Sequence, residues 1–314
     1  MPQSMESHFH NMARFVRDGV LIPFLGAGVN ACGQRLGEFR VGERMPSGGE
    51  LARHLATTCG YEGTHAEDLA RVSQYLATTE GDASLYRELH KVFDIDVPPT
   101  DLHHLLAMLP RLAREHLAPT YPMIITTNYD DALERAFDMA GEPYDTVIYQ
   151  SHGHDRGKLS HRDPTGHVEV VRVPNRYDAI SLAERSVILK IHGAVQRSPG
   201  YTNDSYVITE DHYIEYLTQT DVKKLIPVHL ANSIRESHFL FLGYSLRDWN
   251  LRVILHRLWG DQSLDHMSWS VQLEPDDVET KFWARRNVEI LSCDLHEYVV
   301  GLRTALGFDL EAAS

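Results

Sequence analysis

A chain of 314 residues with 43% hydrophobic and 24% charged residues has the composition of an ordinary folded protein, which argues against disorder or a low-complexity polymer. Its formal net charge of −14 argues against a surface-wide attraction to nucleic acid or anionic lipid, because that attraction comes from Lys and Arg neutralising phosphates. Residues 1–19 lack a basic segment followed by an apolar one, and no run approaches the length of a membrane helix, so a cytoplasmic protein without membrane or direct nucleic-acid contact is expected.

The first predicted element is an amphipathic helix over His8–Arg17. It leads into the apolar run Val20–Leu25, which ends in Gly26-Ala27-Gly28 and reads as a buried strand entering a tight turn. Gly49–Thr58, Ala66–Leu76, Leu85–Phe93 and Leu102–His116 each space Leu, Ala, Tyr or Val by three and four, as successive helices do. Together they suggest a helical module, about residues 49–117, inserted in an α/β sheet. Strand and helix alternate again from Met123–Thr127, through a turn at Asn128-Tyr129-Asp130, to a helix over Asp131–Met139. The segment of about residues 149–185 is polar and contains Pro, His and Gly; it reads as an excursion or hairpin over the active-site face, with Val168–Val173 as its strand. Further strands are expected at Val187–Ile191, Phe239–Leu242, Met267–Leu273 and Val288–Leu291, with a helix from Trp249 to Leu258 among those that follow them. Continuous apolar runs imply strands covered on both faces. The expected fold class is therefore α/β, a Rossmann-like, doubly wound, mainly parallel sheet forming a single domain over residues 1–314.

In such sheets ligands sit beyond the carboxyl ends of the strands, and those ends carry a coherent set here. Gly26-Ala27-Gly28-Val29-Asn30 follows the first strand, and Thr126-Thr127-Asn128-Tyr129-Asp130 follows the next. His192-Gly193 and Gly243-Tyr244-Ser245 follow two others. Glycines at these points let backbone N–H groups approach a pyrophosphate, though a tight turn needs glycine without one. Asp130 can cap the helix that follows or serve in a site, and Asp248 can cap the helix after it. Asn128 lies ahead of the cap, where its amide can hold a ribose hydroxyl or a water. His192 ends its strand beside a glycine that leaves room next to the imidazole. His152, His154, His161 and His167 crowd the polar excursion without the spacing of a helix-borne metal pair and read as a solvated loop. The three cysteines, Cys32, Cys59 and Cys293, form no CxxC pair and read as small buried hydrophobes, so neither a disulfide framework nor a structural zinc is expected.

With these residues in hand, the chain resembles the Sir2 superfamily, and within it the bacterial Sir2-like branch found in antiphage defence. The resemblance rests on Gly26-Ala27-Gly28, on Pro46-Ser47 leading into a helix at Glu50, on Thr126–Asp130, on Lys190-Ile191-His192-Gly193 and on Phe241–Ser245. It implies an NAD⁺ site with Asn128 and His192 in the places of the catalytic Asn and His, and Asp130 in that of the Asp of the same motif. It places Gly26, Ala27, Gly28, Val29 and Thr127 against the dinucleotide and Gly243, Tyr244 and Ser245 at the adenosine side. Glu38-Phe39-Arg40 is similar to an Asp-Phe-Arg segment that follows the glycine loop in deacetylating members.

Deacetylating members carry a Cys₄ zinc module after the His-Gly pair, and its absence here turns the expectation to NAD⁺ hydrolysis. NAD⁺ is then a substrate, split to nicotinamide and ADP-ribose, with no metal expected. The resemblance further implies control by assembly, as a homo-oligomer or with a HerA-type ATPase or another defence partner. Two alternatives stand beside this reading: an NAD-dependent protein deacylase, which needs acetylated peptide to turn over, and a silent subunit that senses NAD⁺ or ADP-ribose.

Overall fold

The structure, a computed structural model, describes residues 4–34, 37–197, 203–218, 226–246, 255 and 266–308. Among them the chain forms a nine-stranded sheet and a separate two-stranded pair. From one edge the order is β11 (Val288–Ser292), β10 (Ser268–Gln272), β9 (His238–Leu242), β1 (Leu21–Leu25), β2 (Met123–Thr126), β6 (Ser186–Lys190), β3 (Tyr144–Tyr149), β4 (Leu159–Arg162) and β5 (Val168–Val171). All pairings from β11 across to β3 are parallel; β3–β4 and β4–β5 are antiparallel.

The central strands divide their side chains between two cores at the two-residue period of a pleated strand. Ile22, Phe24, Ile125, Leu189 and Phe241 enter one core; Leu21, Leu25, Ile124, Ile188 and Leu240 enter the other. On the second face lie α1 (Met5–Arg17), α5 (Asp101–Glu115), α6 (Ala132–Ala140) and α10 (Leu295–Ala305), while α8 (Val228–Glu236) and α9 (Asp277–Ala284) cover the first. This is the Rossmann-like, doubly wound arrangement that the continuous apolar runs predict.

The run of helices between β1 and β2 divides in a way that periodicity does not reveal. Helices α2 (Gly48–Thr58), α3 (Leu69–Glu80) and α4 (Asp82–Phe93) share a core of their own, built on Leu51, Leu55, Val72, Leu76 and Leu89. Helix α5 instead buries Leu102, Leu105, Leu106 and Leu109 with the sheet. The small core also takes in Tyr129, Val195, Tyr206 and Ile208, so the three helices close over the strand ends.

The polar excursion forms the expected hairpin, with Val168–Val171 as a strand, at the edge of the sheet. Leu159–Arg162 and Val168–Val171 pair outward from β3 and widen the sheet, and none of residues 149–185 lines the cavity described below. Its His161 is no solvated loop residue: buried, it bonds Asp145 at 2.8 Å and Tyr177 at 2.7 Å. Cys32 is buried as expected, while Cys59 and Cys293 are only partly so. The helix expected from Trp249 to Leu258, with Asp248 as its cap, lies outside the described residues except for Leu255, which is buried. Among the described residues no helix is long and apolar enough to cross a membrane.

Candidate active site

Two loops beyond the sheet meet backbone on backbone. The amide of Gly26 donates to the Leu242 carbonyl at 3.0 Å and that of Gly28 to the Gly243 carbonyl at 2.8 Å, while Ala27–Ala31 forms a 3₁₀ turn. A Cβ on Gly26 would stand 2.4 Å from the Tyr244 ring, and one on Gly28 would stand 2.8 Å from the Gly243 carbonyl oxygen. Glycine is demanded here by contact between the loops themselves.

At the end of β2, the Asn128 amide N–H donates to Thr126 Oγ1 at 3.0 Å, and its side-chain Nδ2 donates to the Gly26 carbonyl at 3.2 Å. Two strand ends are thereby tied through one side chain. Asp130 divides its carboxylate between two partners. Its Oδ1 accepts from the amide of Ala132, the first residue of α6 after the N-cap Asp131, at 3.1 Å, and its Oδ2 accepts from Asn30 Nδ2 at 2.8 Å. Asp130 therefore orients Asn30 and makes no hydrogen bond to Asn128. Asn30→Ala should lower activity through the site by about fivefold and leave the fold intact, since one partly buried hydrogen bond contributes about 1 kcal/mol; steady-state kinetics beside a melting curve check it.

His192 is 3% exposed, and its ring meets that of Tyr213 edge-on at 5.6 Å between centroids. Burial pushes its imidazole from 6.5 down to about 3, so the ring stands neutral at physiological pH. Gly193 has another reason than space beside the imidazole. With φ of +90°, it pairs with Tyr206 between β7 (Gly193–Ala194) and β8 (Ser205–Tyr206), and a Cβ there would lie 2.1 Å from the Ser205 carbonyl oxygen.

His8 and His103, each 1% exposed, are likewise pushed down by burial to about 4. All three rings have folded values below the unfolded 6.5, so their contribution to stability is complete above that pH and is lost as pH falls below it. Each costs up to about 1.4 kcal/mol per unit below 6.5. Denaturant titrations should show stability falling between pH 6.5 and 4, ahead of the range in which carboxylates titrate.

These strand ends enclose a cavity of about 460 Å³, within the range of small-molecule sites. Ala27, Gly28, Thr127, Asn128, Asp130, His192, Gly243, Tyr244 and Ser245 line it together. Gly26 stands behind Asn128, and Val29 is fully buried in the core against Gly243. Glu38, Phe39 and Arg40 do not reach the cavity; Phe39 packs beneath the Arg44 guanidinium.

Several lining residues were given no role in the sequence. Asn30 closes the glycine turn, Phe93 ends α4, and Tyr213 lies in the first turn of α7 (Glu210–Thr218), helices that carry no strand-end signal. The start of α2 also faces the cavity with Ser47, Gly48 and Gly49. Its capping box is firm, because Arg44 holds the Glu50 carboxylate down to about 2 while Glu50 accepts from the Ser47 amide at 2.9 Å. No Lys or Arg lines the cavity among the described residues. The start of α2, with Gly48 and Gly49 at the cavity, supplies a positive end for an anionic ligand instead.

The family model of the SIR2-like domain matches residues 122–291, the stretch that carries Asn128, Asp130, His192 and Gly243. The chain belongs to the SIR2-like family. Its glycine loop lies ahead of the matched segment. Defense-associated sirtuin 2 of Bacillus subtilis is 21% identical over 294 residues, covering 90% of this chain and 24% of that protein. NAD(+) hydrolase ThsA of Acinetobacter baumannii is 27% identical over 217 residues, 67% of this chain and 35% of that protein. ThsA of Cytobacillus dafuensis is 25% identical over 191 residues, 61% of this chain and 30% of that protein. This SIR2-like chain thus spans about a quarter to a third of the length of the curated relatives it matches. Among its described residues no group of three or more His, Cys, Asp or Glu is placed to hold a metal ion.

Proposed function

We propose that the chain cleaves the nicotinamide–ribose bond of NAD⁺, releasing nicotinamide and ADP-ribose, and that in its cell this depletes NAD⁺ as a defence. The observation that carries this reading is the convergence of Asn128, Asp130 and His192 with both glycine loops on one cavity. The names of the relatives support the same substrate.

Expelling nicotinamide from NAD⁺ releases a neutral leaving group from a cation, so no general acid is needed. The demand is to hold the ribose, stabilise its developing positive charge and place a water, which is chiefly preorganised electrostatics. The loop amides and the start of α2 would take the pyrophosphate. Asn128, anchored on the Gly26 carbonyl, would present its amide oxygen to the ribose or the water. Asn30, held by Asp130, would do the same from the facing wall. His192 starts neutral and can accept a proton from a ribose hydroxyl or the water. Its basicity in the free protein is low, and the negative pyrophosphate would raise it when the dinucleotide is bound.

It follows that kcat/KM should show no acid limb near pH 6.5, the ordinary histidine value, and should stay flat down to about pH 5; a pH–rate profile reads this directly. The reading also places the protein in the cytoplasm, acting as a homo-oligomer or with a defence partner such as a HerA-type ATPase. Product chromatography with and without an acetyl-lysine peptide tests the reaction assignment. Equal nicotinamide release in both supports hydrolysis, and release only with peptide, accompanied by O-acetyl-ADP-ribose, would make the protein a deacylase.

A further inference from the structure

Lys190 is 1% exposed in the last position of a strand whose neighbours, Val187, Ile188, Leu189 and Ile191, are all buried and apolar. An ammonium taken out of water at such a place costs several kcal/mol unless it is fully paired. Its partners are the Glu134 carboxylate of α6, at 2.8 Å, and the main-chain carbonyl of Asp130. Glu134 is itself buried, and its second oxygen has no partner among the described residues. A well-packed apolar pair of similar volume would be as good or better for stability alone.

The bond to the Asp130 carbonyl gives the ammonium a second task. That carbonyl belongs to the turn between β2 and α6, which carries Asn128 on one side and the Asp130 carboxylate on the other. Both side chains bond the loop after β1, Asn128 on the Gly26 carbonyl and Asp130 on Asn30. A shift of the turn would displace both contacts together. We propose that Lys190 is a positioning residue of the site: its buried ammonium pins the 128–131 turn through the Asp130 carbonyl, with Glu134 present to neutralise it. This deepens the proposed NAD⁺ reaction and rests on it for the kinetic reading alone.

The test compares the wild type with Lys190→Met and with the double variant Lys190→Met/Glu134→Leu. It reads melting temperature, kcat and KM for nicotinamide release, and hydrogen exchange at the Asn128 and Ala132 amides relative to that of Ile148 in β3. Lys190→Met alone, which strands the Glu134 charge, should lose both stability and turnover. The double variant should regain the wild-type melting temperature, yet its kcat should stay at least about twentyfold down with KM within about threefold. Exchange at Asn128 and Ala132 should be at least about tenfold faster in it. Recovery of kcat and of exchange protection together with the melting temperature would overturn the proposal. Should the double variant not fold, Lys190→Arg gives the same readings, because a planar fork keeps the charge and cannot reproduce the ammonium's geometry; full kcat there would overturn it equally. If the wild type releases no nicotinamide, the proposed function fails alone, since the exchange readings still decide for or against Lys190.

Discussion

Asn128→Ala should lower nicotinamide release by on the order of a thousandfold, and His192→Ala by a similar factor, because in the proposed reaction each supplies a group to the reacting ribose or water. The two variants should differ in stability. Asn128→Ala gives up the 3.2 Å bond to the Gly26 carbonyl, which contributes about 1 kcal/mol and roughly 1–2 °C of melting temperature. His192→Ala empties a site that is 3% exposed and should cost roughly 2–4 kcal/mol through the cavity left behind. His192→Gln fills most of that space and keeps a hydrogen-bonding end, so it should recover stability without recovering turnover. Kinetics and denaturant curves on the three proteins check both halves. Equal recovery of stability and rate in His192→Gln would remove the base role from the imidazole.

Gly243→Ala should be among the most damaging of single-methyl additions, as Gly193→Ala should be. Gly243 has φ of +64°, and a Cβ there would lie 2.3 Å from the Val29 amide nitrogen, a backbone atom that cannot swing aside. The loops after β1 and β9 would have to part, breaking the bonds of Gly26 to Leu242 and of Gly28 to Gly243. The expected loss is about 3 kcal/mol or more, from the strained backbone and the broken contacts together. Activity should fall with it, because Ala27, Gly28 and Tyr244 line the cavity on the same two loops. Alanine at Gly48, where nothing lies within 4 Å of an added Cβ, is the control and should cost less than about 1 kcal/mol.

The strand ends were legible because turn chemistry is local. A glycine pair after an apolar run, or an Asn-Tyr-Asp before a helix, states its position without knowledge of distant contacts. The reasons for those residues were less accessible. Gly193 gives way to the Ser205 carbonyl and Asp130 turns to Asn30, and both partners are remote in sequence. Strand β3 was hidden because Asp145 interrupts its apolar pattern. That carboxylate is fully buried between His161 and Arg185, each at 2.8 Å, a compensation that no local pattern announces. The same holds for Lys190, whose partner is the Glu134 carboxylate 56 residues earlier. Phe93 and Tyr213 reach the cavity from helices, where apolar spacing tells which face is buried and leaves open what covers it. For α5 that ambiguity divided one run of helices between two cores.

Cleavage of NAD⁺ in the cavity is tested most directly by the time course of nicotinamide and ADP-ribose formation from NAD⁺ alone, by wild type and by Asn128→Ala at equal concentration. The wild type should form both products in equal amounts, and the variant should form them at a rate on the order of a thousandfold lower. Equal rates from the two proteins, or intact NAD⁺ with both, would contradict this.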